Sequence, residues 1–183
     1  MQSQMRNDTA PASKDSHKLI DSNQSQYLTF IMAGEEYGVD ILAVQEIRGW
    51  EDATPLPNAP PHIKGVINLR GTIVPIVDLR QCFGMEAIAY TAITVVIVLK
   101  VQSENGHRVM GIVVDAVSDV YTLSDAEMRD APDLGNTVNT EVIKSLVNVD
   151  KKLVILLNID ILLNLDDIPN LNELRRLSED AEH

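Results

Sequence analysis

The sequence has a single cysteine and no long apolar run. Its one cysteine, Cys82, leaves no possibility of a disulfide within the chain, which suits a reducing compartment. The apolar runs are far too short to cross a bilayer, and the N-terminus has no basic region followed by an apolar one. We therefore expect a cytoplasmic protein without a signal peptide. Aromatic residues make up 4% of the chain against 45% hydrophobic residues, so the core must be aliphatic.

Positive charge is also scarce. The chain has 15 Lys and Arg against 27 Asp and Glu, a net charge of −12. Nucleic-acid binding draws its affinity from phosphate neutralisation by basic side chains, and anionic membrane surfaces attract the same groups. The composition therefore predicts no nucleic-acid partner and no direct membrane insertion.

Catalytic and metal-binding patterns are missing as well. The sequence has no glycine-rich phosphate-binding motif, and its four histidines are far apart: His17, His62, His107 and His183. We predict no catalytic residues, no cofactor site and no metal site, and interpret Cys82 as a buried or half-buried thiol. Two alternatives stay open, namely an enzyme that uses Cys82 with His62 and a barrel that binds a small metabolite between its halves.

Short strands alternate with turn signals after a polar stretch, 1–26, which we predict to be a flexible tail. Branched aliphatic residues favour strands, and they predict hairpins over 27–47 and 91–117 and further strands over 65–79 and 152–159. A leucine stripe predicts a C-terminal helical segment over 159–177 that packs back on the domain, followed by a tail, 178–183. Three aspartates at strand ends are expected to make local hydrogen bonds: Asp40, Asp78 and Asp115.

An internal repeat organises these strands. At an offset of 80, IKGVINLRG (63–71) falls on IKSLVNVDK (143–151); at an offset of 73, GVDILAVQEI (38–47) falls on GIVVDAVSDV (111–120). Each copy has about five short strands, the size of a small closed barrel, and closure removes exposed edges. The repeat predicts a mainly β fold of two tandem five-stranded barrels that share an apolar seam, one over 27–86 and the other over 87–158.

The repeat also separates framework positions from the others. Arg70 falls on Asp150, and Gly71 falls on Lys151, so the fold does not require an arginine at this turn. A guanidinium can bridge a carboxylate or backbone carbonyls of a partner with its fork of donors, although composition alone fits a solvated turn residue equally well. With no catalytic set in view, we predict a binding module.

The sequence resembles the CheW family of chemotaxis coupling proteins over residues 27–165. The motifs that carry the resemblance are EEYGVDILAVQEIRG, LPNAPPHIKGVINLRGTIVPIVDLR, TVVIVLKV, RVMGIVVDAVSDV and KLVILLNIDILLN. The resemblance implies two SH3-like barrels. It also implies a non-enzymatic adaptor that joins chemoreceptor cytoplasmic tips to the histidine kinase CheA in membrane-associated arrays. The regulatory domain of the kinase shares this fold, so barrel-to-barrel docking is the expected contact.

The resemblance also implies which residues meet the partners. Those expected at the receptor or kinase surface are Val44, Glu46, Ile47 and Arg70, and those linked less directly to partner coupling are Gly65, Gly111, Val117 and Val120. In this hypothesis Val44 and Ile47 pack against a helical receptor tip, while Glu46 and Arg70 fix its register. The sequence departs from the family pattern in a longer VQSENGHR loop and at Trp50.

Overall fold

The computed structural model describes residues 23–132 and 140–164. Its strands are β1 Gln24–Met32, β2 Glu35–Asp40, β3 Val44–Gly49, β4 Ile63–Leu69, β5 Thr72–Asp78, β6 Val95–Ser103, β7 Gly106–Val114, β8 Ala116–Ser124, β9 Ile143–Val149 and β10 Lys152–Leu157. Two short helices, α1 Leu79–Cys82 and α2 Ile159–Leu162, follow β5 and β10, and 3-10 turns lie at Ile41–Ala43, Asp125–Glu127 and Thr140–Val142. The first strand begins inside the predicted tail. The predicted helical segment over 159–177 is described only as far as residue 164, and α2 lies in that part; its remainder lies outside the described residues. None of the helices described here is long and apolar enough to cross a membrane.

The strands form two five-stranded sheets, ordered β8-β1-β2-β10-β9 and β3-β6-β7-β5-β4. We call the first the terminal barrel, because its strands come from both ends of the described chain, and the second the central barrel. In each sheet the segment that follows one edge strand pairs with the opposite edge strand. Thr54, after β3, pairs with Val66 of β4, and Arg129, after β8, pairs with Leu146 of β9. The predicted fold class, two five-stranded barrels, is therefore confirmed.

The barrels do not follow the division predicted at residues 86 and 87. The strands of the central barrel are consecutive, from Val44 to Val114, and those of the terminal barrel precede and follow them. The second half of the hairpin predicted over 27–47 is two strands, β2 and β3, which belong to different sheets. A 3-10 turn separates them, and the Asp40 side chain caps this turn by accepting a hydrogen bond from the Leu42 N–H (2.9 Å). Each barrel also contains one parallel pairing between strands that are not consecutive in the chain, β2 with β10 in the terminal barrel and β5 with β7 in the central barrel.

The repeat at an offset of 80 is confirmed in the backbone. In the β4–β5 hairpin a bulge lies between Ile63 and Gly65, and in the β9–β10 hairpin the register shifts at the corresponding pairs. The turns match too, since φ is 51° at Arg70 and 48° at Asp150. The two hairpins therefore share one conformation and differ in the side chains that they present.

The core consists of three apolar clusters. One fills the terminal barrel and includes Tyr27, Leu123, Val147, Val154 and Leu156; another fills the central barrel and includes Leu69, Val74, Ile76, Val96, Val98 and Val113. The third and largest lies between the sheets and draws on both: Leu28, Phe30, Val39, Val77, Leu79, Ile97, Leu99, Ile112 and Leu157 are among its members. This is the predicted apolar seam.

A pair of charged side chains ties the two barrels together beside the seam. Arg80 in α1 donates from Nε and Nη2 to the two carboxylate oxygens of Asp115 (2.8 Å each). Asp115 also accepts from the N–H of Ala33 in the β1–β2 turn (2.9 Å). We call this arrangement the Arg80–Asp115 clamp. The hydrogen bonds from Arg80 hold the pKa of Asp115 below its ordinary value, and the same contact raises the pKa of Arg80.

The clamp corrects one expectation about the aspartates. Asp40 and Asp78 make the predicted local hydrogen bonds, to Leu42 and Gln81. The carboxylate of Asp115 instead bonds to residues that are distant in the sequence, so the prediction of a local role was wrong for this residue. Its position, where the chain passes from β7 to β8 and changes sheet, explains the difference.

Candidate partner-binding surface

The β4–β5 turn holds the Arg70 side chain away from the barrel. Arg70 and Gly71 have positive φ angles of 51° and 87°, as in the type I′ turns that suit the twist of hairpins. The Asn68 side chain accepts a hydrogen bond from the Gly71 N–H (2.8 Å) and closes the turn. The Arg70 side chain is 78% exposed.

The other residues of the NLRGxxxPxxDLR motif, which spans 68–80, have structural roles. The turn does not require the side chain of Arg70. Leu69 and Leu79 are buried in the core, Asp78 caps α1, and Arg80 forms the clamp. Most of the motif is therefore accounted for by folding. Arg70 is the charged member whose side chain lies mostly in solvent.

Arg70 meets Glu46, another of the predicted residues. Its Nη1 lies 2.9 Å from Glu46 Oε2, and Arg48 Nε lies 3.7 Å from the other Glu46 oxygen. Arg48 also bonds to Glu51 (3.1 Å). The strand β3 and the β4–β5 hairpin are at opposite ends of the strand order. The Arg70–Glu46 ion pair therefore connects two edges of the sheet that meet only because the barrel closes. An ion pair this exposed contributes about 0–1 kcal/mol to folding.

The two glycines predicted to influence partner coupling are buried where strands approach closely. A Cβ at Gly65, whose φ is 134°, would lie 2.0 Å from the Thr54 carbonyl oxygen, at the pairing that closes the central barrel. A Cβ at Gly111 would lie 2.6 Å from Ile76 Cδ1 and 2.9 Å from Val96 Cγ1. Packing accounts for both glycines, and their role in partner coupling stays a prediction.

The four predicted valine and isoleucine positions form two equivalent pairs. Val44 and Ile47 on β3 are opposite Leu99 and Ile97 of the seam. Val117 and Val120 on β8, 73 residues later, are opposite the seam residues Phe30 and Leu28. Val44 and Val117 are half-buried against the seam, whereas Ile47 and Val120 are 47% and 44% exposed. Each edge strand therefore leaves one apolar side chain at the rim of the seam.

Sequence reasoning missed Leu42, whose exposed fraction is 89%. It lies in the 3-10 turn that carries the chain from one barrel to the other, two residues before β3. The repeat contained the signal, because at an offset of 73 Leu42 falls on Asp115, which holds the clamp. The first copy of the repeat has an apolar residue, Leu42, where the second copy has a carboxylate, Asp115. The shared fold therefore does not require an apolar residue at this turn.

The enzyme alternative from the sequence involves residues elsewhere in the central barrel, Cys82 and His62. Cys82 is half-buried at the end of α1 and packs against the seam, and the His62 carbonyl accepts from the Asp78 N–H (2.7 Å). Within 23–132 and 140–164 no three His, Cys, Asp or Glu side chains are grouped so that they could hold a metal ion. A shallow pocket is lined by Arg48, Gly49, Glu51, Ile67, Ile76 and Val96. It adjoins the Arg70–Glu46 pair rather than the seam.

Comparisons with known proteins agree with this architecture. The profile of the CheW-like domain family matches residues 26–167. The chain is 47% identical to chemotaxis protein CheW of Klebsiella aerogenes over 135 residues, 74% of this chain and 79% of that protein. It is 38% identical to chemotaxis protein CheW of Rhizobium meliloti, over 78% of this chain and 90% of the relative. The crystal structure of the scaffolding protein TtCheW from Thermoanaerobacter tengcongensis superposes with a TM-score of 0.70 at 26% identity, covering 81% of this chain and 92% of that one.

Proposed function

This chain belongs to the CheW-like domain family of chemotaxis scaffold proteins, and we propose that it couples the cytoplasmic tips of chemoreceptors to the histidine kinase CheA. In this role the protein is an adaptor that needs no catalytic residues. It works in the cytoplasm and is recruited to membrane-associated receptor arrays. Its two barrels supply separate surfaces for the two partners.

The observation that carries the proposal is the exposed Arg70–Glu46 pair. The turn conformation does not need the guanidinium, since Asp150 has the same backbone at the equivalent turn. The ion pair orients the Arg70 side chain and leaves most of its surface in solvent. A guanidinium that is held in place in this way loses little entropy when it binds a carboxylate or a carbonyl of a partner.

The apolar side chains beside this pair suit a helical partner. Ile47 adjoins Glu46 on β3 at the rim of the seam, and Leu42 lies just before that strand. A helix that packs on Leu42 and Ile47 would bury two large aliphatic side chains, each contributing about 1.5–3 kcal/mol when fully buried. The receptor tip would bury these side chains, Val44 would support them from below, and Arg70 with Glu46 would fix the register.

The kinase would bind through a barrel-to-barrel contact with its regulatory domain, which in this family shares the fold. The described chain has further exposed aliphatic side chains for such a contact. Ile73 and Leu153 are equivalent in the repeat, adjoin the two hairpin turns, and are 42% and 48% exposed. Ile73 lies on the central barrel, which also carries Arg70, and Leu153 lies on the terminal barrel. A kinase that binds the terminal barrel would leave the proposed receptor surface free.

Sedimentation of receptor-containing membranes tests the adaptor role. Purified CheA is mixed with these membranes, with and without the full-length chain, and the kinase in the pellet is quantified. We expect the pelleted kinase to rise in proportion to added chain until the receptor sites are filled. Membranes without receptors serve as the control. Kinase that pellets equally well without the chain, or that stays in solution at saturating chain, would contradict the coupling role.

A further inference from the structure

The Arg70–Glu46 pair is one end of a row of four charged side chains on the central barrel. Arg70 Nη1 lies 2.9 Å from Glu46 Oε2, and Arg48 Nε lies 3.7 Å from Glu46 Oε1. Arg48 Nη2 in turn lies 3.1 Å from Glu51 Oε1. Positive and negative charges alternate along these residues, and we call the four of them the charged row.

The side chains of the row differ in how firmly the barrel holds them. Arg70 is 78% exposed, whereas the side chains of Glu46 and Arg48 are 22% and 24% exposed. Arg48 is opposite the buried Val96 in the pairing of β3 with β6, and it lines the shallow pocket together with Val96 and Ile76. An arginine stem can pack on apolar surface of this kind while its guanidinium stays polar. The row therefore leads from a side chain held against the barrel core to one that lies in solvent.

Contacts on both of its oxygens hold the Glu46 carboxylate. The two oxygens face different guanidinium groups, those of Arg70 and Arg48. An ion pair between exposed side chains is weak, because both side chains lose rotamer freedom when they form it. A carboxylate that a more buried arginine already orients has lost this freedom on folding. We therefore expect the contact of Glu46 with Arg48 to strengthen its contact with Arg70.

The repeat shows that the fold does not require an arginine at position 48. At an offset of 73, Glu46 falls on Asp119 and Arg48 falls on Tyr121. The carboxylate of Asp119 accepts a hydrogen bond from the N–H of the next residue, Val120 (2.8 Å), so a local contact satisfies it. The same strand position is thus built in the terminal barrel without a guanidinium, and the arginine of the central barrel calls for another reason.

We propose that Arg48 is a positioning residue that acts through Glu46 to orient the Arg70 guanidinium toward the receptor tip. The inference rests on the proposed function, in which Arg70 binds the receptor. An arginine suits the role better than a lysine, because its planar fork can meet Glu46 and Glu51 at the same time, whereas an ammonium is a single point charge. Arg70 then loses its side-chain freedom on folding rather than on binding, which favours binding.

Nuclear magnetic resonance relaxation on the full-length, 15N-labelled chain tests the positioning without any partner. Arg48→Met keeps most of the stem and removes the guanidinium. We expect the order parameter of the Arg70 Nε–H bond to fall in this variant. Arg129→Met, at an exposed arginine of the other barrel, removes the same charge and should leave that order parameter unchanged. Arg48→Gln provides the same test if Arg48→Met does not fold. An Arg70 side chain that stays as ordered as in the wild type would overturn the proposal.

Capture by receptor-containing membranes tests what the positioning does. We expect Arg48→Met to weaken capture about three- to tenfold, and Arg129→Met to be captured as the wild type is. If Arg48 acts through Glu46, then Arg48→Met should weaken capture little further in a chain that already carries Glu46→Gln. Losses that add fully in the double variant would mean that Arg48 contacts the receptor itself, and would overturn the positioning role.

The two measurements distinguish a failure of this inference from a failure of the proposed function. Weakened capture by Arg48→Met with an unchanged order parameter for Arg70 would overturn the positioning and leave the receptor contact of Arg70 in place. A lower order parameter, together with full capture of both Arg48→Met and Arg70→Ala, would support the positioning and contradict the proposed receptor contact.

Discussion

The Arg80–Asp115 clamp allows a quantitative prediction from its geometry. Asp115→Asn removes the charge and one of the two oxygens that accept hydrogen bonds from Arg80 and Ala33. A hydrogen bond to a charged group contributes about 1.5–3 kcal/mol when it is protected from water, and an exposed ion pair contributes at most about 1 kcal/mol. The side chains of Arg80 and Asp115 are 15% and 21% exposed, so the clamp lies nearer the protected limit.

We therefore expect Asp115→Asn to lower the free energy of unfolding by about 2–4 kcal/mol at neutral pH. For a protein of this size that corresponds to a melting temperature about 5–15 °C lower. Urea unfolding followed by circular dichroism measures the difference. Asp130→Asn, a substitution at an exposed acid, is the control and should lie within about 0.5 kcal/mol of the wild type.

The pH dependence of the effect has a definite sign. Because the pKa of Asp115 is below its ordinary value of 3.8 in the folded protein, its carboxylate adds stability above that pH and loses this contribution as the pH falls through its folded pKa. The gap between wild type and Asp115→Asn should be full at pH 7 and should narrow as the pH falls below 3.8 and through the lowered folded pKa of Asp115. A gap under about 0.5 kcal/mol at pH 7, or one that does not narrow in acid, would refute the reasoning.

Two further predictions separate packing from partner binding. Gly65→Ala should lower the free energy of unfolding by about 3 kcal/mol or more, because its Cβ would meet the Thr54 carbonyl at 2.0 Å. Gly111→Ala should lower this free energy by less, because its Cβ would meet the ends of two side chains. Equal losses of the two variants in urea unfolding would contradict this difference. Leu42→Ser should change stability by less than about 0.5 kcal/mol, because this side chain is 89% exposed, yet it should weaken capture by receptor membranes severalfold; unchanged capture would exclude Leu42 from the receptor surface.

The sequence predicts the repeat and its hairpins well because both rest on local patterns. The β4–β5 and β9–β10 hairpins follow from aliphatic strands around a two-residue turn, and the structure reproduces their match in register and in backbone dihedrals. The exchange of strands between the sheets does not follow from such patterns. It depends on the parallel pairing of β2 with β10, between segments more than 100 residues apart, and on a single 3-10 turn after Asp40.

The candidate site shows the same limit. The family resemblance predicts Arg70 and Glu46 as surface residues, but their contact needs the closure of a barrel whose edge strands are far apart in the chain. Leu42 could have been found by the comparison that drew attention to Arg70, because the two copies of the repeat hold residues of different chemistry at its position. Its exposure, which decides its meaning, comes only from the three-dimensional structure.

The central claim is that Arg70 binds a partner rather than holding the fold together. Arg70→Ala tests it in two assays on one protein, thermal melting and capture by receptor-containing membranes, with Lys151→Ala at the equivalent turn as the control. Both substitutions remove a positive charge at a residue with positive φ. The account predicts that Arg70→Ala changes the melting temperature by less than about 4 °C and weakens capture about thirtyfold, as expected for a binding hot spot, while Lys151→Ala keeps full capture. A collapsed melting profile, or full capture by Arg70→Ala, would contradict it.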